Sequence, residues 1–467
     1  MNTLLTDSYS QIVGNCLLPF YEGRLRRRGT FQYRREFEQN QWKSADEITG
    51  LQWRKLCDLL KHAYGTVDYY RRLFDDLEMR PKDIHTPSDF ACLPILDKAA
   101  VRDSGASLLS KDFDVKDLVR SATGGSTGEP MQFYYNRDSF DRRVAAAMRG
   151  DGWAGWKLCA GEFYIWGAPL LPQNRLKRYK THLHHVLLRR SIVNSFQFGS
   201  DYLAQGVQRY QRARPRVVVA FANPAYEFAR YVKKANIKIH APVGVITSAE
   251  KLYPYQRTLI EEVFQAPVYD RYGCREVMMI GAECERHEGL HVTSDNVYVE
   301  IVSNGHACGP GETGEILLTD LHNYGMPLIR YKVGDLGSWK GVSCSCGRGL
   351  PLMNVVEGRV LDVIVTPDGR AISGEFFPHL MKDFAAIRTF QVIQEQKDLL
   401  NVRLALAEPL PSSQLAFIKS TIDHTIGPAM RIEWEIGEDV VIEPTRKFRP
   451  VMSRVSLDGG APVCSEQ

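Results

Sequence analysis

The chain has 467 residues, with 59 Lys and Arg against 55 Asp and Glu, and therefore a formal net charge of +4. Charged residues make up 24% and apolar residues 44%, as in ordinary globular proteins, which excludes a disordered or collagen-like chain. A surplus of four positive charges over so large a surface also argues against a dedicated nucleic-acid binder.

Targeting segments are not evident in the sequence. No apolar run reaches the roughly 20 residues that a membrane-spanning helix needs, and the first 20 residues lack the basic start and apolar stretch of a secretory signal. The ten Cys are scattered, which is not the pattern of a disulfide scaffold. We therefore expect a cytoplasmic protein whose Cys residues are reduced thiols or metal ligands.

The first hundred residues have a helical pattern and include a basic stretch at residues 24–35. A second basic stretch covers residues 175–190 and contains His182, His184 and His185. For both stretches we predict a solvated helix or loop face. An anionic-ligand site in the first stretch and a metal site in the second are the alternatives.

Short apolar runs alternate with helical patterns from about residue 203 to residue 280. The sequence predicts, in chain order, a strand at 216–221, a helix at 224–236, a strand at 242–247, a helix at 249–264 and a strand at 266–273. This alternation is typical of βαβ units and a mainly parallel sheet. Between 290 and 340 strands follow one another with Gly-rich turns, which predicts a β-rich module.

A smaller unit is predicted to begin near residue 358. Its pattern indicates a hairpin, a short helix, two strands at 387–395 and 399–407, an amphipathic helix at 412–426 and a final strand at 430–437. The predicted fold class is therefore α/β. A large N-terminal α/β domain, residues 1–357, combines βαβ units with the β-rich module, and a small α+β domain occupies residues 358–467.

Residues 121–130, SATGGSTGEP, form the motif richest in glycines and hydroxyls. Glycines let the backbone close around an anion, and hydroxyls add donors to phosphate oxygens. The Lys of a Walker A loop is absent. The motif therefore predicts either a phosphate-binding loop or a flexible surface turn.

Three further motifs have both a functional and a structural interpretation. In YDRYGCREV, 269–277, Tyr272 is suited to stack on a purine or to fill a core, and Glu276 is a hard oxygen ligand for Mg²⁺. In RYKVGDLG, 330–337, Asp335 is placed to bind ribose hydroxyls or to cap a turn. In PTRKFRPV, 444–451, Lys447 would ordinarily be a surface Lys.

The order and spacing of these motifs resemble the adenylate-forming superfamily. A phosphate-type loop is followed after about 145 residues by Y-G-x-x-E, then by G-D, by G-R in 357–365 at the domain boundary, and by a late Lys. The chain is most similar to the phenylacetate–coenzyme A ligase family, in particular its branch associated with capsular polysaccharide. The segments LPILDKAAVRD, ECERHEGLH and CSCGR indicate that branch, and the resemblance covers about residues 50 to 455.

The resemblance implies a set of site residues. The phosphate-gripping loop would be Thr123, Gly124, Gly125, Ser126, Thr127 and Gly128. The adenine pocket would be Ser248, Ala249, Glu250, Tyr272 and Gly273. Glu276 would bind Mg²⁺, Asp335 the ribose, Arg359 the nucleotide at the hinge, and Lys447 would be the catalytic Lys. The chain departs from the family at Glu129, where a Lys is common, and at Leu361, where the hinge often has Asp or Lys.

The activity implied by the resemblance is that of an ATP-dependent, AMP-forming carboxylate ligase. A carboxylate attacks the α-phosphate of ATP, pyrophosphate leaves, and the acyl group passes to coenzyme A (CoA) or another acceptor. Positioning and charge neutralisation, with Lys447 bridging carboxylate and phosphate, would supply the rate. Aromatic and small residues in 152–169 and 217–226 favour an aromatic or apolar acid.

Two alternatives to the CoA ligase are left open. The first is an adenylate-forming ligase that makes an amide or ester in polysaccharide or secondary-metabolite biosynthesis. The second is a non-catalytic scaffold on a ligase fold, against which the joint presence of Glu276, Asp335, Arg359 and Lys447 argues. The expected partners are a small carboxylic acid and its acyl acceptor, and the oligomeric state considered is a homodimer.

A separate group of thiols and imidazoles lies in the predicted β-rich module. Cys284 and His291 form C-x6-H, and Cys344 and Cys346 form C-x-C. Thiolate and imidazole are the ligands of tetrahedral Zn²⁺, and four of them close its coordination shell. The pattern therefore predicts a structural zinc site, with His287 as a substitute ligand and unlinked buried thiols as the alternative.

Overall fold

The computed structural model describes residues 8–123, 131–167, 175–195, 200–354, 364–372, 374, 376–381, 384, 386–437 and 450–455. The chain starts with an N-terminal helical segment made of Ser10–Leu17, Leu18–Phe20 and Tyr21–Leu25. The α-helices that follow are α1 (Thr30–Asn40), α2 (Ala45–Thr66), α3 (Asp68–Asp76), α4 (Pro87–Ala91), α5 (Lys98–Ser104), α6 (Arg137–Trp153), α7 (Arg175–Leu187), α8 (Ser200–Ala213), α9 (Ala222–Lys234), α10 (Pro254–Phe264), α11 (Phe376–Met381) and α12 (Ser412–Ile426).

Within the described residues, the strands form five sheets. The strands are β1 (Val119–Ala122), β2 (Gln132–Tyr135), β3 (Glu162–Trp166), β4 (Arg190–Asn194), β5 (Val217–Phe221), β6 (Gly244–Ser248), β7 (Val268–Tyr272), β8 (Gly281–Glu283), β9 (Leu290–Val292), β10 (Val297–Ser303), β11 (His306–Ala307), β12 (Gly314–Asp320), β13 (Tyr331–Gly337), β14 (Leu352–Met353), β15 (Ile364–Val365), β16 (Ala371–Ile372), β17 (Ile387–Gln396), β18 (Leu399–Leu406), β19 (Arg431–Gly437) and β20 (Val451–Ser453). The predicted helical character of the first hundred residues and the α/β fold class are confirmed.

The largest sheet has eight strands in the order β14-β9-β8-β7-β6-β5-β3-β4. Strands β4, β3, β5, β6 and β7 are parallel, and β8, β9 and β14 extend the sheet in antiparallel fashion. All five residues of β5 are buried, because helices cover both faces of a parallel sheet. The predicted parallel sheet is thus confirmed, with an antiparallel extension.

Helix α10 is shorter than predicted. It begins at Pro254, and residues 249–253 lie outside it. Pro is favoured at the first helical position because it has no N–H to leave unpaired, and the preceding residue, Tyr253, is held in an extended conformation. The helical spacing of apolar residues in 249–264 already begins before Pro254, so the pattern alone placed the start of the helix too early.

The predicted β-rich module is a four-stranded antiparallel sheet in the order β11-β10-β12-β13. Buried ion pairs join this sheet and the turn before β10 to helix α6. Arg143 donates to Asp320 (Nη2–Oδ2, 2.6 Å), and Arg149 donates to Asp295 (Nη1–Oδ2, 2.7 Å), with all four side chains at most 2% exposed. Removing one member of such a pair would leave an uncompensated buried charge.

Arg330, at the entry to β13, fixes the segment around Leu93 to the same sheet. Its φ is +51°, and its guanidinium donates to the carbonyls of Ala91 and Leu93 and to Glu300. A backbone bridge pairs Leu96 with Tyr331 beside it. The LPILDK segment is therefore an element of the β module's edge.

The C-terminal sheet has the order β19-β18-β17-β20, with β17 and β18 antiparallel. The predicted strand at 430–437 corresponds to β19, but it is not the last strand. Three residues, Val451–Ser453, form β20 and pair in parallel with β17. So short a strand has no periodicity to detect. Residues 355–363 lie outside the described residues, so the domain boundary at 357/358 stays a prediction.

Candidate functional site

Predicted nucleotide-binding residues lie where neighbouring parallel strands end. Ser248 is the last residue of β6 and Tyr272 the last of β7, and the two strands pair directly. In open α/β sheets ligands bind outside the carboxyl ends of the strands. Ala249 has a φ of +68°, and the Glu250 carboxylate accepts the backbone N–H of Asn223 at the start of α9 (2.7 Å).

Two phenol–carboxylate hydrogen bonds connect β7 and the turn after it to β13. The Tyr272 hydroxyl donates to Asp335 Oδ2 at 2.8 Å, and the Tyr331 hydroxyl donates to Glu276 Oε1 at 2.7 Å. Tyr331 begins β13, and Asp335 lies in the stretch where the register between β12 and β13 shifts, next to Gly334 with its φ of +95°. The structure therefore brings Tyr272, Glu276 and Asp335 together at the carboxyl ends of the parallel strands of the large sheet.

The Tyr272 hydroxyl is held in its neutral form. Burial raises its pKa well above the usual value, and the neighbouring Asp335 carboxylate raises it further. Burial, followed by the nearby Glu276, likewise raises the pKa of the Cys274 thiol. At neutral pH the Tyr272 hydroxyl is therefore a hydrogen-bond donor.

Gly273 permits the tight turn between Tyr272 and Glu276. A Cβ at this position would lie 1.9 Å from the carbonyl oxygen of Met278. Since real Cβ atoms do not approach a carbonyl this closely, any other residue would displace the turn. Gly273 thus has a packing role that positions Glu276.

Thr123 closes the base of the predicted phosphate loop. Its hydroxyl oxygen accepts the N–H of Met131 (2.9 Å), and its own N–H donates to the carbonyl of Met131 (2.9 Å). The remaining predicted loop residues, 124–128, lie outside the described residues, as do Arg359 and Lys447. Their assignments stay predictions.

Asp270 and Arg271 were missed by the sequence reasoning. Arg271 donates to Asp151 (2.7 Å), and Asp270 accepts from Thr247 (3.0 Å). Burial, together with the nearby Glu283, raises the pKa of Asp270 to about 7. Two charged residues inside the apolar strand pattern VYDRY were the available signal.

The four predicted metal ligands converge. Their ligand atoms all lie within 4.8 Å of one another. Cys284 Sγ is 3.7 Å from Cys344 Sγ, and Cys346 Sγ is 3.3 Å from His291 Nε2. With Zn–S about 2.3 Å and Zn–N about 2.0–2.1 Å, the edges of a tetrahedral site are about 3.8 Å for S···S and about 3.6 Å for S···N. The donor set and its spacing therefore fit Zn²⁺.

Neighbouring groups orient these ligands. His291 sits in β9, and its Nδ1 lies 3.3 Å from the carbonyl of Leu350, which leaves Nε2 facing the thiols. The N–H groups of Arg286 and Arg348 point at Cys284 and Cys346, each with an N···S distance of 3.4 Å. Outer contacts of this kind fix ligand orientation in metal sites.

His287, the predicted substitute ligand, is engaged elsewhere. Its Nδ1 lies 3.1 Å from Glu283 Oε2, and its ring centroid is 4.7 Å from that of Tyr269. The second basic stretch, residues 175–190, forms α7 and the start of β4, and the described side chains of α7 are mostly exposed. The predicted solvated helix face is confirmed there.

Comparison with known proteins agrees with the resemblance found in the sequence. Residues 364–454 match the family described as the CapK C-terminal domain. Phenylacetate-coenzyme A ligase of Escherichia coli (strain K12) is 28% identical over 334 residues, which are 69% of this chain and 73% of that protein. Protein CapK of Staphylococcus aureus is 22% identical over 339 residues, 70% and 71% of the two chains.

Solved structures have the same fold. A 2-hydroxyisobutyryl-CoA ligase in complex with 2-HIB-AMP and CoA, in its thioesterification state, superposes with a TM-score of 0.61 at 20% identity. The match covers 89% of this chain and 91% of that one. The expected resemblance to adenylate-forming ligases, with relatives among phenylacetate–CoA ligases and CapK, is therefore confirmed. In the part of the chain that the structure describes, no helix is long and apolar enough to cross a membrane.

Proposed function

We propose that this relative of the phenylacetate-coenzyme A ligases and CapK is an ATP-dependent, AMP-forming acid–CoA ligase. The observation that carries the proposal is the convergence of Tyr272, Glu276 and Asp335 at the carboxyl edge of the parallel sheet. These residues come from two separate motifs of the sequence, and a nucleotide pocket requires them at one place. The matches to the phenylacetate-coenzyme A ligases of Escherichia coli and Thermus thermophilus cover 69% and 68% of the chain.

In this proposal, the adenine, the ribose and the phosphates of ATP are each held by different residues. The Tyr272 ring stacks on adenine, and the Asp335 carboxylate, already accepting the Tyr272 hydroxyl, accepts from the ribose hydroxyls. The loop closed by Thr123 holds the phosphates with backbone N–H groups. Arg359 and Lys447 are assigned to the nucleotide and to the reacting carboxylate.

Catalysis rests on position and charge. The acid carboxylate attacks the α-phosphate, and the bond from that phosphorus to the leaving pyrophosphate breaks. The role assigned to Lys447 is to stabilise charge as it moves from the carboxylate to the phosphate. The acyl-adenylate then passes its acyl group to the CoA thiol, and AMP leaves.

Mg²⁺ belongs to this proposal as the partner of the triphosphate. The Glu276 carboxylate is a hard oxygen donor, and its Oε2 is not used in the bond to Tyr331, so the residue fits a magnesium ligand. When bound, the ion would neutralise phosphate charge. Because the substrates ATP and CoA are cytoplasmic metabolites, we place the reaction in the cytoplasm.

We further propose that Cys284, His291, Cys344 and Cys346 hold a structural Zn²⁺. The support is their spacing, their low exposure and the contacts that orient them. Four protein ligands close the tetrahedral shell, so the ion would staple the β8–β9 hairpin to the loop before β14 rather than bind substrate.

ATP–pyrophosphate exchange with a panel of carboxylic acids tests the function. An acid-dependent exchange is expected, with an aromatic or apolar acid giving the highest rate. Hydroxylamine trapping with and without CoA then identifies the acceptor: CoA thioester formation supports the ligase, and trapping without a CoA product supports an amide or ester ligase. Absence of exchange with every acid, from protein that binds ATP, would instead support the non-catalytic scaffold.

A further inference from the structure

Two helices away from the candidate site expose apolar side chains in helical register. In α7, Leu176, Tyr179, Leu183 and Val186 are between 56% and 65% exposed, and their spacing of three or four residues places them on one face. In the N-terminal helical segment, the outward apolar residues are Ile12, Leu17, Phe20 and Leu25, each more than half exposed. We call these eight residues the apolar stripe pair.

The two helices are neighbours. The Tyr9 hydroxyl donates to the carbonyl of Leu187 at 2.9 Å, and the Arg189 guanidinium lies 5.9 Å from the Tyr9 ring centroid. The opposite face of the N-terminal segment is fixed to the body, since the buried Ser10 hydroxyl donates to the carbonyl of Leu158 at 2.7 Å. The exposed stripe therefore cannot turn inward without breaking this contact.

Positive charge is concentrated on these same segments. Residues 8–28 and 175–190 together contain ten Lys and Arg and a single acid, Glu22. The rest of the chain then has 49 Lys and Arg against 54 Asp and Glu, which makes it net negative although the whole chain is net positive. No Asp or Glu occurs in 175–190 at all.

We propose that the apolar stripe pair and its basic surroundings dock the protein on an anionic lipid surface. Apolar side chains with interfacial aromatics such as Tyr179 and Phe20 insert at the headgroup boundary, and Lys and Arg attract anionic lipids. A second copy of this chain is a poorer occupant, because a symmetric interface would bring the two basic clusters together. The ligase would thus act beside a membrane surface.

Vesicle flotation of the whole protein tests this proposal directly. We expect at least about ten-fold stronger binding to phosphatidylcholine vesicles containing phosphatidylglycerol than to phosphatidylcholine alone, and loss of most of that binding at high salt, because exposed charges are screened. Equal binding to both vesicles, or none to either at low salt, would overturn the proposal without any variant.

Paired variants locate the surface. Leu176→Ser with Leu183→Ser, and separately Arg178→Glu with Lys180→Glu, are expected to reduce vesicle binding about ten-fold or more. Val115→Ser with Val342→Ser removes apolar side chains that are 48% and 65% exposed elsewhere, and Lys234→Glu with Lys397→Glu makes the same charge change elsewhere. The control pairs should bind vesicles as the wild type does, and acid-dependent exchange should be unchanged in all four.

Two outcomes would refute the assignment. If the controls lose binding as much as the α7 pairs, the attraction is a property of net charge and not of this surface. If light scattering gives a dimer that the Leu176/Leu183 pair converts to a monomer, while neither the wild type nor any variant binds vesicles, the surface is an interface between copies of the chain.

Discussion

At the scale of single residues, substitution of Asp335 tests whether this side chain binds nucleotide or has a purely structural role. Asp335→Ala should weaken ATP binding, because hydrogen bonds to a charged acceptor contribute about 1.5–3 kcal/mol each. Tyr272→Phe removes the hydroxyl that donates to Asp335 but keeps the ring, so a smaller loss is expected. Titration calorimetry with ATP measures both, and an affinity unchanged in Asp335→Ala would remove the ribose assignment.

Lys447 is predicted to act in one half-reaction. Lys447→Ala should bind ATP nearly normally, since the large domain supplies most of the predicted contacts, but should form acyl-adenylate roughly 10²–10³-fold more slowly. Supplied with synthetic acyl-adenylate, the variant should still make thioester. An equal drop in both rates would indicate a structural role. No drop in either would direct attention to Arg446 and Arg449 beside it.

At the scale of elements, the proposed Zn²⁺ site is predicted to stabilise the β8–β9–β14 region. Protein purified without added metal should contain about one Zn per chain, and Cys344→Ser should lose it together with thermal stability, because structural zinc binding contributes to folding free energy. The matched control is Cys92→Ser, which replaces an exposed thiol just after α4. It should change neither the zinc content nor the thermal stability. Metal-free wild type of equal stability would contradict the site.

The elements also show what the sequence can and cannot predict. Strands β5, β6 and β7 followed from apolar runs, because a parallel strand is buried on both faces and its pattern is local. The pairing of Tyr272 with Asp335 and of Tyr331 with Glu276 did not, since the partners are 63 and 55 residues apart and hydroxyls carry no periodic signal. The motif order identified three of these four residues, and only their resemblance to a family related them to one another.

At the scale of the whole molecule, buried ion pairs bind helix α6 to the β module. Arg149→Met would leave the fully buried Asp295 carboxylate without its main partner, and the expected cost is about 3–5 kcal/mol of unfolding free energy. Replacing both, Arg149→Met with Asp295→Leu, should recover much of that loss. Lys233→Met breaks a half-exposed pair with Glu262 and should cost about 1 kcal/mol or less.

Thermal denaturation measures these three variants. The melting temperature should fall most for the single Arg149 change, less for the double change and least for the Lys233 control. A single Arg149 variant as stable as the Lys233 control would show that the Arg149–Asp295 pair does not stabilise the contact between α6 and the β module.

The hydrogen bonds that Arg330 makes to residues far earlier in the sequence have a consequence for folding during synthesis. Its guanidinium satisfies the carbonyls of Ala91 and Leu93, which precede it by 239 and 237 residues. At roughly 5–20 residues per second, the ribosome needs about 12–48 s to synthesise the chain from this early segment to Arg330. During that interval helices α2, α3 and α4 expose the apolar surface that the β module later covers. Chaperones or proteases would have access to that surface in this period.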